Sequence, residues 1–186
     1  MMPLQNPENS ILNTKRIIES NKHSEIRLNA NGGNSILIIC EPHYELDFIN
    51  AINKLMNIDS YMVIDLNDLL LQFIKSNKVE LEESFELLKG SIHQIFKSPM
   101  GETTPDFFGF IMSSIADCYK QKKVPILIHT GTLYGSGIDN IHIMENEIVM
   151  KSNIPLIILY PATNEADKLL FLSQRPASKY RCMIIN

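Results

Sequence analysis

The chain has 186 residues, of which 45% are apolar and 20% are charged, so it can bury the core of one globular domain without a disulfide or metal staple. The net charge of −4, from 21 acidic and 17 basic residues, argues against a general nucleic-acid binder, because neutralising phosphates requires clustered Lys and Arg. The three cysteines are scattered, the first 22 residues are polar, and no apolar run approaches the roughly 20 residues of a membrane span, which predicts a cytoplasmic protein outside the membrane.

Apolar runs and helical periodicity alternate along the first half of the chain. Residues 1–34 are predicted to be an N-terminal tail and helix, with the helix at about 10–22 and an Asn/Gly-rich breaker after it. A short continuous apolar run at 35–40 is typical of a strand buried on both faces. A helix at 44–56 and a second buried strand at 61–66 follow, and Asn67 or Asp68 is predicted to cap the next helix.

The alternation continues to the end. The predicted elements are a helix at 80–96, a helix that starts at Thr103 or Thr104, a strand at 124–128, a helix at 140–150, a strand at 154–159, a short strand or turn at 168–172, and a last strand at 181–185. This pattern predicts an α/β fold with three layers: a mostly parallel sheet of about five strands and helices on both faces. We expect residues 35–186 to form a single domain with Rossmann-like or P-loop-like topology that lacks a phosphate-binding loop.

Ligands of such sheets bind at the carboxyl ends of the strands, so the loops there are the places to look for chemistry. The loop after the first strand has no Gly and no Lys but carries Glu41, Glu45 and Asp47, whose negative charges disfavour a phosphate. Asp65 and Asp68, at the end of the second strand, are interpreted as part of a helix cap in preference to a metal site. No metal and no cofactor are predicted.

The loop after the third strand, HTGTLYGSG at 129–137, is the most distinctive one. Its glycines allow unusual backbone conformations, and their N–H groups could form an anion nest, but a flexible loop that docks a partner is favoured. His129 could act as a general base at the end of this strand. No nucleophile and no orienting acid is evident for it in the sequence, so no catalytic residue is predicted.

Several of these segments together resemble a known family. VPILIHTGTLYG (124–135), IPLIILYP (154–161), LLFL (169–172) and KYRCMII (179–185) occur in this order. They are similar to the B component of the BREX bacteriophage-exclusion systems, the BrxB family, of which the chain would be a divergent member over about residues 35–186. The resemblance implies a non-enzymatic cytoplasmic component that contacts other subunits, foremost an alkaline-phosphatase-like protein.

The residues predicted to contact a partner or ligand are Thr130, Gly131, Tyr134, Gly135, Gly137, Tyr160, Pro161, Tyr180 and Arg181. The alternative function is a degenerate NTPase-like domain that binds a nucleotide or another small anion at the glycine-containing loop. A third hypothesis is a hydrolase that uses His129 or Asp65.

Overall fold

A computed structural model describes residues 6–20, 23–91, 93–98, 106–165, 168–177 and 180–186. The helices in these ranges are α1 (Pro7–Glu19), α2 (His23–Asn29), α3 (Glu45–Leu55), α4 (Leu66–Ser76), α5 (Lys78–Leu87), α6 (His93–Phe96), α7 (Phe107–Lys120), α8 (Asn140–Met144) and α9 (Glu147–Met150). The strands are β1 (Ser35–Cys40), β2 (Tyr61–Asp65), β3 (Val124–Ile128), β4 (Leu156–Glu165), β5 (Lys168–Phe171), β6 (Arg175–Pro176) and β7 (Met183–Ile185).

Five of the strands form a parallel sheet in the order β2-β3-β4-β1-β7. All residues of β1 and β3 are buried, because both strands have neighbours on each side and helices on each face. The predicted bounds of β1 and β3 are therefore confirmed to the residue. The order differs from the common doubly wound arrangements, since here β1 lies between β4 and the last strand.

Helices cover both faces of the sheet, so the predicted three-layer α/β architecture is confirmed. On one face, alternate β1 side chains such as Ile36 and Ile38 pack with α1 and α3. On the other face, Leu37 and Ile39 belong to a second core with α4, α7, α8 and α9. The N-terminal helices are part of this packing, because the Ile side chains at 11, 18 and 26 are buried in the first core.

An antiparallel ribbon extends the sheet beyond the predicted end of the fourth strand. β4 continues to Glu165, where it pairs with β5, and β5 pairs with β6. The strand predicted at 154–159 ends too early, because the prediction relied on a run of apolar residues. The outer half of β4 is polar and does not show such a run. The segment at 168–172, left open between strand and turn, contains the strand β5.

Three predicted helices differ from the observed ones. The helix predicted at 80–96 is divided, since α5 ends at Leu87 and a turn around Gly90, a poor helix former, precedes α6. The helix predicted at 140–150 is also divided, because the Asn146 side chain accepts a hydrogen bond from the backbone N–H of Ile148 and starts α9 anew. α7 begins at Phe107 with Asp106 as its cap, and the predicted start at Thr103 or Thr104 lies outside the described residues.

No helix in the described ranges has both the length and the apolar character needed to cross a membrane.

Candidate functional site

The carboxyl ends of the parallel strands bring three separate segments to one edge of the sheet. They are the loops after Cys40 and Ile128 and the start of α4, which follows Asp65 directly. The register of the β2–β3 pair places Asp65 opposite Ile128, so the residue after β3, His129, lies beside the last residue of β2. Side chains 64 positions apart in the chain therefore meet at this edge.

His129 and Asp65 form a direct side-chain pair at this position. The Nδ1 of His129 lies 2.8 Å from Oδ1 of Asp65, and both side chains are about one third exposed or less. The same carboxylate caps α4, because its Oδ1 accepts from the backbone N–H groups of Asn67 and Asp68 at 2.9 and 3.4 Å. The cap predicted at Asn67 or Asp68 is thus two or three residues too late. Asp65 is the capping residue, and it also orients the imidazole.

The backbone of His129 is itself unusual. Its φ of 54° and ψ of 41° lie in the left-handed region, which side-chain-bearing residues seldom adopt. Such a conformation costs of order 1–3 kcal/mol and persists only where the surroundings enforce it. Here the Asp65 pair and the 3-10 turn that starts at Thr130 hold the residue in place.

Glu45, the first residue of α3, lies next to the same pair. Burial raises the pKa of its carboxyl above the ordinary value. The charge of His129 and a hydrogen bond from its backbone oppose this rise, whereas the charge of Asp65 adds to it. Its Oε1 is buried without a hydrogen-bond partner in the described structure. The edge thus holds an imidazole hydrogen-bonded to one carboxylate, with a second, partly buried carboxyl group nearby.

The loop after His129 is tightly folded and its backbone groups are largely used. A 3-10 turn at Thr130–Leu133 is followed by left-handed glycines, Gly135 and Gly137. Backbone N–H groups at positions 132, 134 and 136 donate to carbonyls within the loop, and the N–H at 138 donates to Ser136 Oγ. These four donors are not free to bind an anion, but none of them belongs to a glycine of the loop. Gly137 also lies against the His93 side chain, where an added Cβ would come within 3.1 Å.

Three of the nine predicted contact residues are interior. Thr130 is fully buried and its hydroxyl donates to the carbonyl of Leu159 at 2.9 Å. Tyr160 is fully buried, stacks on Phe171 and shares a hydrogen bond of 2.9 Å with the hydroxyl of Tyr180. Pro161 is buried in the sheet, paired with β1. These three side chains hold the loop and the ribbon in place and are covered by the fold.

Four other predicted residues are exposed: Tyr134, Gly135, Gly137 and Arg181. Arg181 is half-exposed and donates to Glu145 from its Nε at 3.1 Å. Tyr134 is 56% exposed and lies at the rim of a cleft of about 200 Å³. The cleft is lined by Leu70, Phe96, Phe107, Thr132, Tyr134, Gly135 and Ser136. Gly131, packed near Leu172, connects this rim to the ribbon.

The described residues include no group of three His, Cys, Asp or Glu side chains that could hold a metal ion. At the position where Asp65 and Asp68 were weighed as ligands, the Asp65 carboxylate is occupied by helix N–H groups and by His129.

The pairing of Asp65 with His129 was missed by sequence reasoning. Asp65 was interpreted as helix-capping, and His129 was left without an orienting acid. The available signal was positional, because both residues stand at the ends of strands that turn out to be neighbours.

The chain matches no known protein family, no curated protein and no solved structure.

Proposed function

We propose that this protein is a non-enzymatic, cytoplasmic component of a BREX-type bacteriophage-exclusion system and that it acts by binding other subunits. The resemblance of several segments to the BrxB family motivates the proposal, and the exposed Tyr134 beside an apolar cleft is the observation that carries it. The foremost expected partner is the alkaline-phosphatase-like protein of such a system. All three cysteines are free and buried, which fits a reducing compartment.

The cleft suits a partner's side chain better than a small-molecule ligand. Its volume of about 200 Å³ is below the roughly 300–1,000 Å³ of typical ligand pockets. Leu70, Phe96 and Phe107 supply an apolar floor, and Tyr134 supplies an aromatic side chain of the kind that dominates binding energy at interfaces. A partner could seat one apolar side chain in this cleft and cover Tyr134.

The nucleotide or small-anion alternative is less well supported. A phosphate at the glycine-containing loop after β3 would find the N–H groups of Thr132, Tyr134 and Ser136 already bonded within the loop, and it would lie at the same edge of the sheet as the carboxylates of Glu45 and Asp65. A thermal-shift series with nucleotides and magnesium tests this alternative, because a ligand at 100 times its dissociation constant stabilises by about 2.7 kcal/mol. A clear upward shift with any nucleotide would favour the alternative over the leading proposal.

A second candidate, acid–base catalysis, is favoured by one specific observation. The 2.8 Å contact between His129 and Asp65 is the geometry of a base with its orienting acid. No hydroxyl nucleophile is offered to the imidazole in the described residues: Thr130 donates to a carbonyl, and Thr132 bonds Asn67. A hydrolase would therefore have to activate water. A panel of chromogenic ester, glycoside and peptide substrates tests this, and an activity lost in His129→Ala and kept in Tyr134→Ala would establish it.

The leading proposal is tested by gene neighbourhood and co-purification. Neighbouring genes should encode a methyltransferase, an ATPase and a phosphatase-like protein, and the tagged chain should capture the last of these. Tyr134→Ala should weaken this capture by at least about tenfold, the size typical of a hot-spot side chain.

The matched control is Leu28→Ala. Leu28 is also highly exposed, at 78%, but α2 leads into the start of β1 and so lies at the opposite end of the sheet. This variant should capture the partner as the wild type does. Neighbouring genes of unrelated kinds, or equal capture by both variants, would refute the proposal.

A further inference from the structure

The start of α8 carries a capping box in which a histidine occupies the third helical position. Asp139 precedes α8 and is its N-cap residue, with an extended backbone. The side chain of His142 reaches back to this residue, and its Nδ1 accepts a hydrogen bond of 3.0 Å from the backbone N–H of Asp139. In the usual capping box the residue at this position is Glu or Gln, whose side-chain oxygen is an acceptor at neutral and mildly acidic pH alike.

The hydrogen bond from Asp139 to His142 requires a neutral imidazole. A backbone N–H can only donate, so Nδ1 of His142 must hold a lone pair, and the proton of the neutral ring is on Nε2. Protonation of the ring places a second N–H on Nδ1, facing the N–H of Asp139. The contact then changes from a hydrogen bond to an opposition of two donors. Because the ordinary pKa of histidine is about 6.5, this change falls in a range that mild acidification reaches.

The surroundings of His142 favour the neutral ring. Half-burial of the imidazole lowers its pKa below the ordinary value and is the largest effect. The charges of Lys97, just after α6, and of Arg175, on β6, lower the pKa further, whereas the carboxylate of Asp139 opposes them. The carboxylate of Asp106, before α7, acts in turn on Lys97. The hydrogen-bonded, uncharged ring is therefore the form that the fold holds at neutral pH.

Asp139 also joins the start of α8 to the antiparallel ribbon. Both oxygens of its carboxylate accept from the guanidinium of Arg175 on β6, Oδ1 at 2.8 Å and Oδ2 at 3.2 Å. His142 holds the backbone of Asp139, and the side chain of Asp139 holds Arg175, so the two contacts share one residue. An imidazolium at position 142 would release the backbone N–H and, as a cation, compete with Arg175 for the carboxylate. Protonation of one ring therefore weakens both the helix cap and the contact with the ribbon.

We propose that His142, Asp139 and Arg175 form a pH-sensitive latch that fastens the β5–β6 ribbon to the start of α8. The latch is closed when the His142 ring is neutral and accepts from Asp139, and it opens when the ring is protonated in mildly acidic solution. The parts that move are the N-cap residue and the ribbon strand β6, because the buried Ile143 and Met144 keep α8 itself in the core. The latch is independent of the defence-system function proposed above.

A pH titration of the full chain, followed by NMR, tests the two contacts directly. The ring of His142, the backbone N–H of Asp139 and the side-chain N–H groups of Arg175 should change their chemical shifts with one common midpoint, below about pH 6.5. In His142→Gln the signals of Asp139 and Arg175 should stay constant between about pH 8 and about pH 5, because Gln does not titrate. A midpoint of the ring at or above about 6.5, or signals of Asp139 and Arg175 that do not follow the ring, would overturn the proposal.

Thermal unfolding tests the energetic consequence. His142→Gln keeps an acceptor at the third helical position of α8 at every pH. Because the folded-state pKa of His142 is lowered, the unfolded chain binds the proton more readily than the folded chain does. The stability that the wild-type latch provides is thus complete above about pH 6.5 and is lost as pH falls through the folded-state pKa. The Tm of the wild type should therefore fall relative to that of His142→Gln between about pH 8 and about pH 5.

The matched control is His43→Gln. It makes the same change at an exposed histidine in the short 3-10 turn before α3, where the side chain lies 3.5 Å from Glu41 and not at a helix cap. The Tm of this variant should follow the wild-type Tm on acidification. The proposal is wrong if the Tm difference between the wild type and His142→Gln stays constant with pH, or if His43→Gln shows the same change of Tm difference with pH.

Discussion

Replacing Thr130 by Val separates a structural role of this residue from a role in contacting a ligand. The Thr130 hydroxyl is fully buried and donates to the carbonyl of Leu159 in β4 at 2.9 Å. Val has nearly the same shape, so no cavity forms, but one hydrogen bond is lost and a buried acceptor is left with one donor fewer. These two effects together cost about 1–3 kcal/mol.

Thr163→Val is the matched control for this substitution. The Thr163 Oγ1 is buried without a partner in the described structure. Removing this hydroxyl should therefore be neutral or stabilising, because an unpaired polar group is replaced by an apolar one. The two variants make the same chemical change, at a hydroxyl that donates a hydrogen bond in one case and at a buried hydroxyl without a partner in the other.

Urea unfolding of both variants measures the difference. Thr130→Val should lower the urea concentration at the midpoint of unfolding, while the slope of the free energy of unfolding against urea concentration stays unchanged. In thermal unfolding, each kcal/mol of lost stability should lower Tm by about 2–4 °C for a domain of this size. Partner capture at temperatures where the variant is folded should stay at the wild-type level. A Thr130→Val protein as stable as the wild type, or one no less stable than Thr163→Val, would refute the reasoning.

Three further predictions follow from contacts elsewhere. Gly33→Ala should unfold the protein or lower its Tm sharply, because the new Cβ would lie 1.8 Å from the backbone oxygen of Arg181. The control Gly90→Ala has open space around the new Cβ and should leave Tm unchanged or raised. Equal Tm values for the two variants would contradict this reasoning. Burial raises the pKa of the Glu45 carboxyl, so the folded state binds the carboxyl proton more firmly than the unfolded state does. The stabilisation from this proton is complete below the pKa of the unfolded state, about 4.3. It is lost as pH rises through the raised pKa of the folded state. Glu45→Gln should therefore be more stable than the wild type at neutral and alkaline pH, with the Tm difference shrinking on acidification, and a pH-independent difference would count against the argument. Burial also raises the pKa of all three cysteine thiols. A thiol reagent should therefore label the native protein far more slowly than the urea-unfolded protein. Rapid labelling of the native protein would show that the buried cysteine sites open.

The interior strands were predictable because their sequences carry their environment. Apart from Ser35, Cys40 and Pro125, β1 and β3 consist of Ile, Leu and Val, and such a short, nearly continuous apolar run is typical of a strand covered on both faces. The α/β class and the helices on both faces follow from the alternation of these runs with helical periodicity. The absence of Gly and Lys from the loop after β1 is likewise a local property, which the sequence shows directly.

Boundaries within polar segments were not predictable in this way. The outer half of β4 is held by pairing with β5, and this pairing depends on two segments that meet only after the chain has turned. The breaks at Gly90 and Asn146 have local causes, a poor helix former and a side-chain cap, but the apolar periodicity continues across them, so periodicity alone joined each pair of helices into one.

The sequence alone determined the class of fold, the interior strands β1 and β3 and the lack of a phosphate-binding loop, because these depend on residue types that are close together in the chain. The strand predicted to be buried at 61–66 is instead the edge strand β2, which ends at Asp65 and whose Val63 is 37% exposed. Only the tertiary structure decided which side chains of the distinctive loop face outward. Thr130 is buried against β4 while Tyr134 is exposed, although both stand in the same short motif. Only the strand order brought His129 to Asp65, since the register of β2 and β3 is a long-range property that local patterns do not encode.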